Sequence, residues 1–222
     1  MNISTSRALV VGASGSLGRL IASDLRRAGA DVSLITRSGR LDNSLSDLPH
    51  AVADLRNAAS VTSALEELAP PFDIVVNAAG VVAFGRLDEL PPDVARELFD
   101  VNALGLLHLL HELPSRMREG GVVVNLTGVA ADVTVLGLSA YGASKAAAKS
   151  ALAVAAREWR SRKIRVLDVR APHTETGLVT RALWGSAPNF GVGLAPEIVS
   201  ERIRRAIEQD ETLLTPDSFA TP

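Results

Sequence analysis

Tyr141 and Lys145 sit four residues apart in the stretch YGASK, at the start of an alanine-rich helical run. The chain has one tyrosine, and this is it. On a helix, positions i and i+4 stack on one face. An ammonium so placed favours the phenolate and lowers the pKa of the phenol. Such a phenol can exchange a proton with a carbonyl or alcohol oxygen near neutral pH. The alternative is a half-exposed helix face with no chemistry, so the surrounding elements have to decide.

Those elements begin with RALVVGAS, a short apolar β-rich run ending in glycine. SLGRLIASDLRRAG follows, with Leu17, Leu20, Ile21 and Leu25 at helical spacing and Gly29 as a stop. The turn between them holds Gly12, Ser14, Gly15, Ser16, Leu17 and Gly18 in a G-x-x-G-x-x-G pattern. Small residues there let a diphosphate reach backbone N–H groups at a helix N-terminus. A glycine-rich turn with no ligand is the alternative. The next strand, ADVSLITRS, ends in Thr36, Arg37 and Ser38 where an acid would bind a free ribose 2′-hydroxyl. Arginine instead suits a 2′-phosphate. The cofactor expected is therefore NADP(H), with NAD(H) second; a plain surface arginine is the other reading of Arg37.

A third strand, HAVADLRN, carries Asp54 and Leu55. Ser60 or Asn57 can cap the helix after it. FDIVVNAAG reads as a buried parallel strand running into Asn77, Ala78, Ala79 and Gly80. Pro91 to Met117 reads as one long helix with Asn102 among apolar residues, where a buried amide needs partners or a task. His108 and His111 are three apart, but no carboxylate or cysteine pattern supports a metal. Gly120 to Ala130 is the expected fifth strand. The YGASK helix is expected to run to about Arg162, and Lys163 to Pro172 is the sixth strand. Residues 173–193 are irregular and glycine-rich, as in a mobile lid. An amphipathic helix and a short final strand over DETLLTPDS complete the alternation. Strands alternating with helices predict a doubly wound, Rossmann-like α/β fold: a parallel sheet of about seven strands, helices on both faces, one domain over 1–222.

The chain has 222 residues, no cysteine and a net charge of −2. Disulfides and thiolate metal sites are excluded. The charge gives no sign of a nucleic-acid partner, and no apolar run approaches membrane-spanning length. No signal peptide is evident at the N-terminus, so a cytoplasmic protein is expected.

Taken in order, these motifs resemble the short-chain dehydrogenase/reductase family over nearly the whole chain. The resemblance rests on GASGSLG, Asp54-Leu55, NAAG, Asn102 in VNALG, and Tyr141-x-x-x-Lys145. It implies that the glycine turn holds the diphosphate, Asp54 borders the adenine and the NAAG turn supports it. It implies Tyr141 as general acid/base and Lys145 on the nicotinamide ribose, lowering the phenol's pKa. Asn102 would hold a water in a proton relay. Pro172, Thr174 and Thr176 follow the sixth strand, with Thr176 where the family bonds the nicotinamide carboxamide. His173 and Glu175 would lie near it; His173 reads either as a substrate contact or as a structural histidine.

One family residue is missing. The serine expected thirteen residues before the tyrosine falls on Gly128, preceded by Thr127. Strand alternation would turn Thr127 away from the active side. Three readings are open: a bulge rotates Thr127 into place, Ser139 or Thr134 substitutes, or the site is impaired. The leading expectation is an NADP(H)-dependent oxidoreductase acting on a small or medium apolar carbonyl or secondary alcohol, with Tyr141, Lys145, Asn102 and Thr127 as the catalytic set. The alternative is an NADP-binding regulatory or interaction protein with weak or no catalysis. A homodimer or homotetramer formed through the alanine-rich helix is expected from the family.

Overall fold

The computed structural model describes residues 1–220; the last two residues of the expected 1–222 domain lie outside the described residues. Seven parallel strands form one sheet in the order β3-β2-β1-β4-β5-β6-β7. They are β1 (Arg7–Val11), β2 (Asp31–Thr36), β3 (His50–Val52), β4 (Phe72–Asn77), β5 (Met117–Leu126), β6 (Arg165–Val169) and β7 (Leu213–Leu214). The helices are α1 (Ser16–Arg27), α2 (Ala58–Glu67), α3 (Pro92–Phe99), α4 (Gly105–Arg116), α5 (Ser139–Glu158) and α6 (Pro196–Glu208). The expected doubly wound fold is therefore what forms.

Buried strands explain the apolar runs. Side chains alternate between two cores. Leu9, Val75, Val123 and Val166 face α2, α4 and α5. Val10, Val76, Val124 and Leu167 face α1 and α6. Ile203 and Ile207 give α6 its buried stripe. Asn57 caps α2 by accepting from the Ser60 N–H at 3.2 Å. Among the described residues, no helix is long and apolar enough to cross a membrane.

Strand order reverses between β1 and β4, where the two adjacent strands send their connections to opposite sides. A crevice opens at the C-terminal ends of strands at such a point. Two bonds set its floor. Gly12 N–H donates to the Ile35 carbonyl at 2.8 Å, and Ala78 N–H donates to the Val11 carbonyl at 2.9 Å.

Three expected elements are corrected. The long helix is interrupted by a π-turn at Asp100–Leu104, between α3 and α4. The wider turn offsets the helix by a residue and carries Asn102 at its centre. The fifth strand starts earlier than expected, at Met117, and stops at Leu126. Gly128 has φ +80°, which ends the extended ladder before the expected Ala130. The expected helix to Arg162 is α5 followed by a 3₁₀ turn at Trp159–Arg162.

Candidate active site

A cleft of about 550 Å³ runs from the glycine turn to Tyr141. That is within the usual range for small-molecule and cofactor sites. Its first wall is the β1–α1 turn, with Gly12, Ser14, Gly15, Ser16, Leu17 and Gly18 all lining it. α1 has no side-chain cap and no acid in its first turn. Its leading N–H groups are therefore free donors in a positive field. The glycines are a matter of room. A Cβ on Gly12 would stand 2.7 Å from the Ala79 N, and one on Gly18 only 2.2 Å from the Gly12 carbonyl oxygen. The turn can be this tight only without side chains.

Arg37 follows β2 and also lines the cleft. It is exposed, and no ion pair holds it among the described residues. Ser38 lies outside the cleft wall. Asp54 and Leu55 line it, but the Asp54 carboxylate is already engaged. Arg56 Nε donates to both of its oxygens, at 2.9 and 3.0 Å, and continues to Glu97 at 2.9 Å. The Arg56 bond, then its charge, hold the Asp54 carboxyl below its ordinary range despite partial burial. His108 Nδ1 lies 2.8 Å from the Leu55 carbonyl oxygen. That gives this histidine a structural partner.

After β4, Ala78, Ala79 and Gly80 line the cleft, and Asn77 does not. Asn77 is buried and shapes the turn. Its Oδ1 accepts from Ala79 N–H at 3.2 Å, and its Nδ2 donates to Asn125 Oδ1 at 2.8 Å. Asn102 is likewise committed. Its Oδ1 accepts from Val81 N–H at 3.0 Å, and its Nδ2 donates to the Val81 carbonyl at 2.9 Å and to Ser144 Oγ at 3.1 Å. The π-turn thus clamps the segment after β4 and braces α5 one residue before Lys145.

Tyr141 and Lys145 lie together on α5, with Lys145 Nζ 5.9 Å from the centre of the phenol ring. Lys145 is 7% exposed. Its Nζ donates to the Leu126 carbonyl at 3.0 Å. Burial pulls Lys145 down to about 8, partly opposed by the charge of Asp168. Burial pushes Tyr141 up to about 12. This corrects the expectation that the ammonium lowers the phenol: desolvation of the phenolate is the larger effect here. The ring packs beside Val82, Phe84 and Leu138, which face Leu178, Val179 and Ala182 from residues 173–193.

Residues 6–183 match the family model for the short chain dehydrogenases. The chain belongs to that family. It is 31% identical over 193 residues to the 2,3-dihydro-2,3-dihydroxybenzoate dehydrogenase of Escherichia coli (strain K12), an alignment covering 84% of this chain and 76% of that one. It is 30% identical over 198 residues to an uncharacterized oxidoreductase of Methylorubrum extorquens, covering 83% and 80%. Among solved structures, the landomycin C-6 ketoreductase LanV with bound NADP and rabelomycin superposes with a TM-score of 0.83 at 25% identity, over 99% of this chain and 98% of that one. The alcohol dehydrogenase of the archaeon Thermococcus sibiricus, complexed with 5-hydroxy-NADP, has the same fold, with a TM-score of 0.84 at 22% identity over 95% of each chain. The protein is thus a short-chain dehydrogenase/reductase enzyme.

Thr127 belongs to the cleft wall and is fully buried. Its Oγ1 accepts from Asn125 Nδ2 at 3.0 Å, so its own hydrogen stays available to another acceptor. Ser139 Oγ donates to the Gly85 carbonyl at 3.0 Å, and Thr134 is exposed. Gly128, at φ +80° and ψ 157°, occupies a region that only glycine visits readily.

Pro172, His173, Thr174 and Thr176 line the far end. Thr174 Oγ1 donates to the Pro172 carbonyl at 2.9 Å, and Thr176 Oγ1 accepts from Leu178 N–H at 3.3 Å. The base of the following loop is joined by backbone bonds, from Leu194 N–H to the His173 carbonyl and from Glu175 N–H to the Leu194 carbonyl, each 2.9 Å. His173 stacks beside Phe190 at 5.2 Å, and its Nε2 is 3.5 Å from Glu175 Oε1. Arg181 lines the cleft from the loop and carries no distinguishing motif in the sequence. Asp168 lies outside the cleft wall; as the one acid of β6 it could have been noticed in the sequence.

Proposed function

We propose that the protein is an NADP(H)-dependent oxidoreductase working on a carbonyl or secondary alcohol, with Tyr141 as the general acid/base. The observation that carries this reading is Tyr141 and Lys145 side by side at the apolar end of a cleft that begins at the glycine turn.

The residues present fit a nicotinamide dinucleotide. The uncapped α1 N-terminus and the glycine cradle suit its diphosphate. Arg37, free of any carboxylate partner among the described residues, suits a 2′-phosphate over a 2′-hydroxyl. The NADP bound to LanV supports the same choice. Asp54 and Leu55 would border the adenine, and Thr174 and Thr176 would meet the nicotinamide end. When bound, such a cofactor supplies or takes up the hydride.

The protein's own residues handle the proton and the position. Tyr141 gives its proton to the substrate oxygen on reduction and recovers it on oxidation. A phenol pushed up to about 12 is protonated throughout the neutral range, so it holds the proton that reduction consumes. Lys145 supplies positive charge behind the oxygen that is developing charge. Thr127, backed by Asn125, is the hydroxyl we assign to the substrate oxygen in place of the missing serine. Asn102 acts by holding Val81 and Ser144 in place. Val82, Phe84, Leu138 and Leu178 enclose the reacting end, and the 173–193 loop acts as its lid, which suits a small or medium apolar substrate.

Association through α4 and α5 is part of the reading. Their outer faces expose Leu107 (47%) and Val154 (51%), with Leu104 (46%) at the end of the π-turn that leads into α4. Tyr141→Phe tests the whole assignment: turnover of any accepted ketone should vanish while the dinucleotide still binds. Undiminished turnover would remove Tyr141 from the mechanism.

A further inference from the structure

β6 carries one acid on the face that packs under α5. Val75, Val123 and Val166 belong to the core on that face. Two residues on, the same face of three adjacent strands presents Asn77, Asn125 and Asp168, paired in register across the sheet. The amides of Asn77 and Asn125 bond to each other. Asp168 does not join them. It is 7% exposed, and its Oδ1 is enclosed with no hydrogen-bond partner. A buried carboxylate oxygen left unbonded is costly and calls for an explanation.

The other oxygen has a defined partner. Asp168 Oδ2 accepts from Arg170 Nε at 2.8 Å. Arg170 Nη1 donates to Asp132 Oδ2 at 3.0 Å, and Asp132 is also paired with Lys149 of α5. The charges alternate from the surface inward and end at Asp168. Lys145 is equally buried and has one of its three donors on the carbonyl of Leu126, whose register partner on β6 is Val169, next to Asp168.

We propose that Asp168 is a positioning residue of the active site: a buried carboxylate whose field keeps the Lys145 ammonium charged behind the Tyr141 phenol. The inference rests on the reading of Lys145 given above. Buried away from water, an ammonium loses its proton readily unless an opposite charge is near. Asp168 is the opposite charge that acts on Lys145. Other acids on elements packed against α5 are engaged elsewhere: Asp132 with Lys149 and Arg170, Glu97 with Arg56, and Glu112 with Arg116. Asp93 and Arg96 on α3 are exposed, Asp100 lies in the π-turn, and His108 meets the Leu55 carbonyl. On α5 itself, the neighbours are the Tyr141 phenol and Lys149. Arg170 sets the strength of the field by partly neutralising Asp168.

The chain has three lysines, at 145, 149 and 163, so lysine labelled with carbon-13 at Cε gives a countable spectrum. The Lys145 signal is identified by its loss in Lys145→Met. It is titrated through the alkaline range without substrate or cofactor, so the result is independent of whether the catalytic reading holds. Asp168→Asn should move the Lys145 midpoint down by about one pH unit, and Asp168→Glu should return most of the shift. Arg170→Gln leaves the carboxylate and removes its neutralising partner, so it should move the midpoint up. A role in packing alone would lower the melting temperature in these variants and leave the midpoint in place, and that outcome overturns the proposal. Should Asp168→Asn not fold, Arg170→Gln decides by itself: an upward shift sustains the proposal and an unmoved midpoint ends it.

Discussion

Lys145 Nζ lies 5.9 Å from the centre of the Tyr141 ring and donates to the Leu126 carbonyl at 3.0 Å. Lys145 is buried and Tyr141 partly so, and both are shifted toward their neutral forms: the phenol up to about 12, the ammonium down to about 8. The chain has one tyrosine, so its phenolate absorbance reports on the active site alone. A spectrophotometric titration of the unliganded protein should show one transition near 12, well above the ordinary 10. A midpoint below 10 would mean that the ammonium, and not burial, governs the phenol.

The same shifts fix how stability varies in alkali. Lys145 is depressed from 10.5 to about 8, so its contribution is full above 10.5 and is lost as pH falls through 8. Tyr141 is raised from 10 to about 12, so its contribution is full below 10 and is lost as pH rises through 12. These two groups therefore make stability climb from pH 8 toward 10 and decline beyond it. Denaturant melts across that range should lose the climb in Lys145→Met and the decline in Tyr141→Phe.

Arg37 should decide between the two dinucleotides. Titration of nicotinamide fluorescence should show NADPH binding more tightly than NADH. Arg37→Ala should weaken NADPH by about 10- to 100-fold, the worth of charge-assisted bonds to a phosphate. NADH should be nearly unaffected. Equal losses for both cofactors would place Arg37 on a group that they share.

Gly128→Ser restores the residue that the family resemblance leads one to expect, yet it should not raise the rate. A Cβ at Gly128 meets nothing within 4 Å, so space is not the obstacle. The backbone is: φ +80° with ψ 157° costs a side-chain-bearing residue about 1–3 kcal/mol. Gly128→Ala and Gly128→Ser should lose similar stability in urea melts, with neither faster than the parent. A large gain in turnover for the serine variant alone would show that the loop can rearrange and that Thr127 is not the working hydroxyl.

Light scattering should find a homo-oligomer. Leu107→Arg or Val154→Arg, each placing a charge on an exposed apolar face of α4 or α5, should reduce its mass. A monomer in the parent protein would set aside association through these helices.

Much of this was legible in the sequence because it depends on local pattern. Apolar runs bounded by glycine located the strands, helical spacing located α1 and α6, and Asn57 announced the start of α2. The glycine turn and Tyr141-x-x-x-Lys145 stood out because residue type and spacing carry their chemistry. What stayed hidden depends on three-dimensional surroundings. The direction of the Tyr141 shift is set by burial that no spacing reveals. The direction of Thr127 was left open, because the alternation rule assumes an unbroken strand and Gly128 ends it. Asp54 was expected to border the adenine, and its ion pair with Arg56, two residues away, which reaches across to Glu97, carries no sequence signal. The partners of the Asn102 amide, Val81 and Ser144, lie twenty-one and forty-two residues away in the chain, where no local pattern points to them.

The loop between His173 and Leu194 leaves and re-enters the fold through the same small gate, sealed by two backbone bonds that do not depend on which side chains lie between them. The sheet, the glycine turn and α5 are built without it. That makes the segment an exchangeable part. A loop of different length and composition from another family member could be spliced between Thr176 and Leu194, keeping the two threonines of the cleft wall and changing the company the phenol keeps. Diversification of substrate range, in a laboratory or in a lineage, can therefore proceed at this one insertion point while the proton-handling machinery is left untouched.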